Sequence, residues 1–538
     1  MILLILNRRD FEYDIYSLIK AFYVGSEIRV FDAWEDLPEE VLNQKAKNEA
    51  GKELETGSGS EAELIFDVFF SQKKDIESVT LRICEGSILK EAFATRSDSE
   101  DGEAGIAGAK TVPITETTVP ITPAMTRIEV KSAVKTLLYD ALCAMTGRTL
   151  PWGDLTGIRP VKLAMSRILA GESNARTAAF LRDTYHVSVP KSALAVMIAN
   201  REKALLDDLD YRNGYSLYVG IPFCPSICLY CSFSSSPIAL WKDRVDDYLN
   251  ALEREMRGAR EMFAPKQLQT IYIGGGTPGV LEPDRMDRLL SMIEENFDRS
   301  SVREYTVEIG RPDTITKEKL QVLSDHGIGR ISINPQTMNQ KTLDVIGRRH
   351  SVEQTREAFH LAREMGFHNI NMDLIVGLPG EGLSEVQTTM EAIGELGPES
   401  VTVHALALKR SSRLHERLKE YEAISFQTSD AIMDLTQRSN EARGLYPYYL
   451  YRQKNMAGNF ENVGYAAPGC ECLYNILIME EVQSILALGA GASTKLVYED
   501  GLIERIENVK DIKNYLERVD EMVERKLTGA VKYKYRSG

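Results

Sequence analysis

Residues 218–233 read YVGIPFCPSICLYCSF and carry three cysteines spaced C-x3-C-x2-C: Cys224, Cys228 and Cys231. Three thiolates can hold three irons of a cubane four-iron cluster and leave the fourth iron open to a small molecule, whereas an all-cysteine set closes the cluster. Pro222 and Pro225 each remove a backbone donor and fix φ, so the cysteines belong to a loop rather than a helix. The apolar run SLYVGIPF before them reads as a strand. Two other readings stand beside the cluster. A structural zinc site wants four ligands, usually Cys or His, and the next cysteine in sequence is Cys470. Inert buried cysteines are the other, and three so close on a proline-containing loop are dense for that role.

The 538-residue chain has room for roughly two to four domains, with 43% hydrophobic and 27% charged residues, as in ordinary soluble globular proteins. Its 79 acidic and 64 basic residues give a net charge of −15, which argues against a general nucleic-acid binder. Seven cysteines are few and odd in number; beyond the motif stand Cys84, Cys143, Cys470 and Cys472, which do not make a secreted disulfide framework. The first residues, MILLILNRRDFEYD, read as a strand and not as a signal peptide, and no apolar window reaches the ~18 residues of a membrane span. A cytoplasmic location, where a reduced cluster survives, is the expectation.

Residues 1–94 alternate apolar runs (MILLIL, SEIRVFDA, AELIFDVFF, SVTLRIC) with one helical stretch, which predicts a small α+β domain. Residues 95–126, acidic and then rich in Thr, Pro, Ala and Gly, lack periodicity and predict a flexible linker. Residues 127–209 read as helices, with Ser173 and Ser192 as candidate N-caps and Gly147 and Gly171 as stops. The stretch RTLPWGDLTGIRP between the first two suits a packed loop better than a lid over an anionic substrate. In the core, 210–410, strand and helix alternate six times, with candidate strands SLYVGIP, QTIYIGGG, EYTVEIG, RISIN, NINMDLIVG and SVTVHALA. That predicts an α/β fold, a partial (βα)6 barrel, followed by a mainly helical C-terminal region over 411–538.

Barrel sites lie at the C-terminal ends of the strands. There the first strand runs into the cysteine loop, and the second into Gly274-Gly275-Gly276-Thr277-Pro278, where missing side chains let a ligand approach the backbone. The third ends near Glu308 and the fourth just before Gln336, with Arg348, Arg349 and His350 further on. The fifth carries Asp373 and then Gly377-Leu378-Pro379, and the sixth carries His404 and Ala407. Six strand ends with such residues in register are hard to explain as ordinary surface positions.

LYVGIPFCPSICLYCSF, IYIGGGTPGVL, RISINPQTM, IGRRH and NMDLIVGLPG together resemble the oxygen-independent coproporphyrinogen III oxidase (dehydrogenase) family of radical S-adenosylmethionine enzymes. The resemblance covers roughly 215–410, more weakly ILALGAGAS, and the N-terminal extension resembles that of a long-chain branch. It implies that Cys224, Cys228 and Cys231 ligate a 4Fe-4S cluster, that Tyr218 lies beside the cofactor, and that Tyr230 and Ala407 flank the adenine. It implies that Gly275, Gly276 and Thr277 meet the methionine part of S-adenosylmethionine, and that Glu308, Gln336, Arg348 and Asp373 complete its polar contacts. It further implies coproporphyrinogen III as substrate, a one-electron donor such as flavodoxin or ferredoxin, and oxidative decarboxylation of two propionates to vinyl groups. For a substrate with four carboxylates, Arg348, Arg349, Lys409, Arg410 and Arg452 are candidate basic residues at the mouth.

Three departures stand out. Phe233 occupies the position where better-characterised oxidases carry a fourth cysteine, and related haem chaperones also carry Phe there. Gly220 stands where a histidine is usual, and IGRPDT follows Glu308 in place of a shorter turn. The porphyrin assignment is therefore safer than the oxidase one. Gly489 to Ser493 could close over the adenosyl group or form a tight turn, and Cys470 and Cys472 could be a redox relay, hold an extra ligand or be small hydrophobes.

Overall fold

The computed structural model describes residues 1–23, 26–33, 36–37, 64–73, 76–85, 115–157, 159–407, 412, 414, 428–453 and 460–537. They fall into two compact units, Met1–Thr156 with Phe180–Val189, and Gly157–Ala179 with Pro190–Gly538.

The first unit holds β1 (Ile2–Leu6), β2 (Ile28–Phe31), β3 (Leu64–Lys73), β4 (Ile76–Glu85) and β5 (Thr115–Ile121), in the sheet order β2-β1-β3-β4-β5. β1 is apolar at every position because both of its faces are covered. Ile2, Leu4 and Leu6 share a core with Ile15 and Leu18 of helix Glu12–Phe22 and Val134 and Leu138 of helix Arg127–Thr146, while Leu3 and Ile5 meet Ile65 and Cys84 on the other side. The linker expected over 95–126 needs correcting at its end. Residues 115–121 pair antiparallel with β4, with Thr118 Oγ1 2.8 Å from Thr80 Oγ1 and Arg82 paired with Glu116. The Thr- and Val-rich run suits a strand, and Pro120 is tolerated because β5 is an edge. Residues 95–114 lie outside the described residues.

The segment 127–209 forms four helices, Arg127–Thr146, Pro160–Leu169, Asn174–Tyr185 and Val189–Asp207. Thr126 and Glu129 close a capping box on the first, which ends at Gly147 with φ +63°. Ser173 Oγ accepts from the Arg176 N–H at 3.4 Å. Ser192 is no cap: the last helix starts earlier, at Val189, with Pro190 in the first turn, where its missing N–H costs nothing. Trp152 and Asp154 are fully buried, so the loop between the first two helices is packed.

The second unit carries β6 (Gly214–Ile221), β7 (Gln267–Gly275), β8 (Glu304–Gly310), β9 (Arg330–Ile333), β10 (Ile370–Val376) and β11 (Ser400–Ala405), side by side and parallel in chain order. The C-terminal region, expected to be mainly helical, builds among its described residues four helices, Asp430–Glu441, Leu473–Glu480, Ile512–Glu517 and Val519–Ser537, but also adds five strands to this sheet. β12 (Tyr446–Tyr451) and β13 (Asn462–Ala466) extend it antiparallel beyond β11. β14 (Ser484–Leu488) lies parallel to β6, followed by β15 (Ser493–Val497) and β16 (Ile503–Glu507). Their short apolar and aromatic runs become strands because the barrel offers them open edges; periodicity alone cannot separate such runs from helix. The final helix packs on Val245–Ala259, where Lys526 and Glu255 form a fully buried pair at 2.6 Å and Val523 lies over Gly258.

Strands β6 and β11 are five places apart, yet Tyr218 and His404 line one cavity of about 450 Å³. The sheet therefore curls into a partial barrel. Leu473–Glu480 joins β13 beyond one edge of the six strands to β14 beyond the other, and its Tyr474, Asn475, Ile478 and Met479 line the same cavity. This helix spans the open side of the barrel. Among the described residues no helix is long and apolar enough to cross a membrane.

Candidate active site

The cysteine loop is fixed by backbone contacts around it. Leu229 N–H donates to the Ile346 carbonyl at 3.0 Å, Ser236 N–H to Pro222 at 2.8 Å, and Cys231 N–H to Cys228 at 3.2 Å. Thr277 donates to Cys224 Sγ at 3.5 Å through its hydroxyl and to the Phe223 carbonyl at 2.7 Å through its N–H. Burial pushes the Cys224 and Cys231 thiols up, which favours neutral thiols until a cationic group takes them as ligands. Among the described residues no three His, Cys, Asp or Glu side chains gather to hold a single metal ion. A cubane places each thiolate on a different iron and asks for a wider set.

The glycines after β7 serve the chain's own backbone as well as any ligand. A Cβ on Gly276 would stand 2.4 Å from the Phe223 carbonyl oxygen, one on Gly274 would stand 2.8 Å from Glu308 Oε2, and Gly275 holds φ +109°. Gly276 N–H donates to the Ile221 carbonyl at 2.8 Å, which ties this turn to the start of the cysteine loop.

Glu308 receives the Tyr272 hydroxyl, and burial, together with the nearby Asp373 charge, pushes its carboxyl up to about 7. Asp373 goes the other way: burial works against its charge, but His404, Asn371 and Thr402 outweigh it and hold the carboxyl below the usual range. Asn371 Nδ2 lies 2.7 Å from Asp373, and His404 Nε2 lies 3.9 Å away. Gln336 has φ +71°, unusual for a side chain of its size, and is held there by bonds of 2.9 Å to the Asp373 carbonyl and from the Ile375 N–H. Arg348 donates to the Tyr230 hydroxyl at 3.0 Å and the Asn334 carbonyl at 2.9 Å, and its buried Nε has no partner. Tyr218 stacks 6.4 Å from Tyr272 and 6.3 Å from Tyr474, and Tyr272 and Tyr474 stack at 4.6 Å.

The structure brings Tyr218, Cys224, Cys228, Tyr230, Cys231, Gly275, Gly276, Thr277, Glu308, Gln336, Arg348, Asp373 and Ala407 around this one cavity. The donor set fits a cluster and its cofactor: three thiols on one loop, a glycine-lined turn, carboxylates for hydroxyls, and an arginine with a spare N–H. Others do not reach it. Arg349, Arg452 and the 489–493 turn are absent from the lining. Gly489 instead packs on Gly220, where a Cβ would meet the Gly220 carbonyl at 2.6 Å. Cys472 is buried with its thiol donating to Glu304 at 3.2 Å, away from the cysteine loop, and Cys470 does not line the cavity either. Lys409 and Arg410 lie outside the described residues.

Sequence reasoning missed part of the cavity lining. Arg311, from IGRPDT, donates to Ser226 in the cysteine loop at 2.7 Å and pairs with Asp313 through two bonds of 2.9 and 2.8 Å. Arg330, Ser332 and Asn334 on and after β9, Asn371 on β10 and Thr402 on β11 also line the space. Every second residue of these strands faces inward, so polar residues at i, i+2 and i+4 within otherwise apolar strands were the available signal.

Residues 218–393 match the Radical SAM superfamily. The chain is 43% identical over 405 residues to the oxygen-independent coproporphyrinogen-III oxidase-like protein HemZ of Bacillus subtilis strain 168, which covers 74% of this chain and 81% of that one. It is 33% identical over 316 residues to the heme chaperone HemW of the same strain, covering 57% of this chain and 76% of that one. Among solved structures, coproporphyrinogen III oxidase (HemN) from Escherichia coli, a radical SAM enzyme, is similar at 25% identity and a TM-score of 0.47, over 60% of this chain and 73% of that chain.

Proposed function

Because the chain belongs to the oxygen-independent coproporphyrinogen III oxidase-like family of radical S-adenosylmethionine proteins, we propose that it converts coproporphyrinogen III to protoporphyrinogen IX. The family uses a 4Fe-4S cluster and S-adenosylmethionine, which together supply a 5′-deoxyadenosyl radical able to remove a hydrogen atom from an unactivated carbon. Cys224, Cys228 and Cys231 hold the cluster. Arg348, Gly275, Gly276 and Thr277 hold the methionine end of the cofactor, Glu308 and Asp373 take its ribose hydroxyls, and Gln336 adds a further polar contact. Tyr218, Tyr230 and Ala407 frame the adenine. Each propionate would give one hydrogen atom from its β-carbon to the 5′-deoxyadenosyl radical, release carbon dioxide and pass one electron to an external one-electron acceptor, leaving a vinyl group; two such events complete the conversion.

The observation that supports this reading is the continuity of the cavity. The cysteine loop, the rim and the polar shaft below them line one space, so a substrate arm can be held beside the cofactor and out of water. A second reading is favoured by the similarity to a heme chaperone and by Phe233 after the third cysteine: the chain binds haem and passes it on without turnover. Anaerobic reconstitution of the cluster, reduction, and addition of S-adenosylmethionine and coproporphyrinogen III separate the two. Vinyl products together with 5′-deoxyadenosine support the oxidase. Stoichiometric haem binding and transfer with no vinyl product support the carrier and overturn the oxidase.

A further inference from the structure

Among the described residues three guanidinium groups line the cavity, and two are engaged at the rim. Arg311 is ion-paired with Asp313, and Arg348 bonds Tyr230 and the Asn334 carbonyl. Arg330 differs. It opens β9, is only 3% exposed, and makes one hydrogen bond among the described residues, from Nη2 to Ser400 Oγ at 3.1 Å; its Nε and Nη1 are buried with no partner. Glu304, on the neighbouring strand, attracts it through space but makes no hydrogen bond or close ion pair with it. The Glu304 oxygens accept from Cys472 Sγ at 3.2 Å, the Leu473 N–H at 2.5 Å and Thr306 Oγ1 at 3.1 Å, and burial pushes the carboxyl toward its neutral form. Among the described residues, the only acidic side chains lining the cavity are Glu308 and Asp373, both at the rim. Arg330 pairs in register with Thr306, two residues before Glu308, so it stands about 7 Å below the acidic rim at ~3.3 Å per residue. A buried guanidinium with open donors and no carboxylate at ion-pair distance is costly, and its fork fits a carboxylate best.

We propose that Arg330 is a carboxylate-binding site in the barrel shaft, taking one short acidic arm of the substrate while the body of that substrate stays at the mouth. The cavity of about 450 Å³ suits a nucleoside-sized cofactor and such an arm, not a cofactor and a whole macrocycle. The identity of the arm as a propionate of a tetrapyrrole rests on the function proposed above; the anion site does not.

The probe is 3,3,3-trifluoropropionate, observed by fluorine NMR on the cluster-loaded chain with S-adenosylmethionine present. The acid should broaden, the corresponding amide should not, and unlabelled propionate should reverse the effect. Arg330→Gln should abolish the broadening and Arg330→Lys should keep part of it. If Arg330→Gln does not fold, Ser400→Asp supplies the guanidinium with an internal carboxylate and should abolish the broadening instead. The affinity for coproporphyrin III should fall roughly 10- to 100-fold in whichever variant folds, the loss expected for a charge-assisted bond. Equal broadening by acid and amide, or unchanged broadening in the folded variant, overturns the site whatever the porphyrin does. Acid-specific broadening that the variant removes, with no porphyrin binding to the unaltered chain, keeps the site and overturns the tetrapyrrole reading.

Discussion

The rim and the shaft of one barrel are built differently. At the rim, side chains come from the strand ends and the loops that follow them, and most charges are engaged: Arg311 by Asp313, Asp373 by Asn371 and His404, Glu308 by Tyr272, with one Arg348 N–H left open. In the shaft, side chains come from the strands themselves, and neutral Ser332, Asn371 and Thr402 surround a space that holds one arginine with open donors. A largely bonded rim is pre-organised and tolerates little change. The shaft keeps unused binding capacity, which is what a site waiting for its substrate would keep.

This contrast predicts a falling series of effects. Cys228→Ala, at the centre of the cysteine loop, should remove the cluster and all 5′-deoxyadenosine formation, read from iron content and product analysis. Gly276→Val forces a side chain onto the Phe223 carbonyl, 2.4 Å from the position of the new Cβ. It should cost about 1–3 kcal/mol of stability in thermal unfolding and weaken S-adenosylmethionine binding in proportion as the turn shifts. Glu308→Gln should be milder and should carry a pH signature. The folded chain holds the Glu308 proton up to about 7, above the usual carboxylate range, so stability falls as pH rises from that range through about 7. Cofactor hydroxyls prefer the carboxylate, so S-adenosylmethionine affinity should rise through the same window in the unaltered chain and stay flat in Glu308→Gln. Tyr474→Leu, which removes the 4.6 Å stack on Tyr272, should cost only about 0.5–1.5 kcal/mol in unfolding experiments and leave the cluster intact. A shaft as sensitive as the rim would erase the distinction.

The rim was legible in the sequence because its signals are local. Cysteine spacing, the glycine run and the residues at strand ends can each be read without knowing what lies opposite. The six core strands were legible for the same reason, and EYTVEIG coincides with Glu304–Gly310. The shaft needed a second inference, that alternate residues of neighbouring strands face one another; Arg330 meets Ser400 across 70 residues of chain. Leu473–Glu480 could not be placed from its own sequence, since its role follows from joining two far edges of the sheet. Strand β5 was hidden because Thr- and Pro-containing runs become strands only when a partner edge is available.

The most direct test of the whole account follows the hydrogen atom. Coproporphyrinogen III deuterated at the propionate β-carbons is incubated anaerobically with the reduced, cluster-loaded chain and S-adenosylmethionine, and the 5′-deoxyadenosine is weighed by mass spectrometry. One deuterium should appear in each 5′-deoxyadenosine, with vinyl product rising alongside it. Unlabelled 5′-deoxyadenosine, or none above the Cys228→Ala background, would contradict the claim that a propionate arm reaches the cofactor in this cavity.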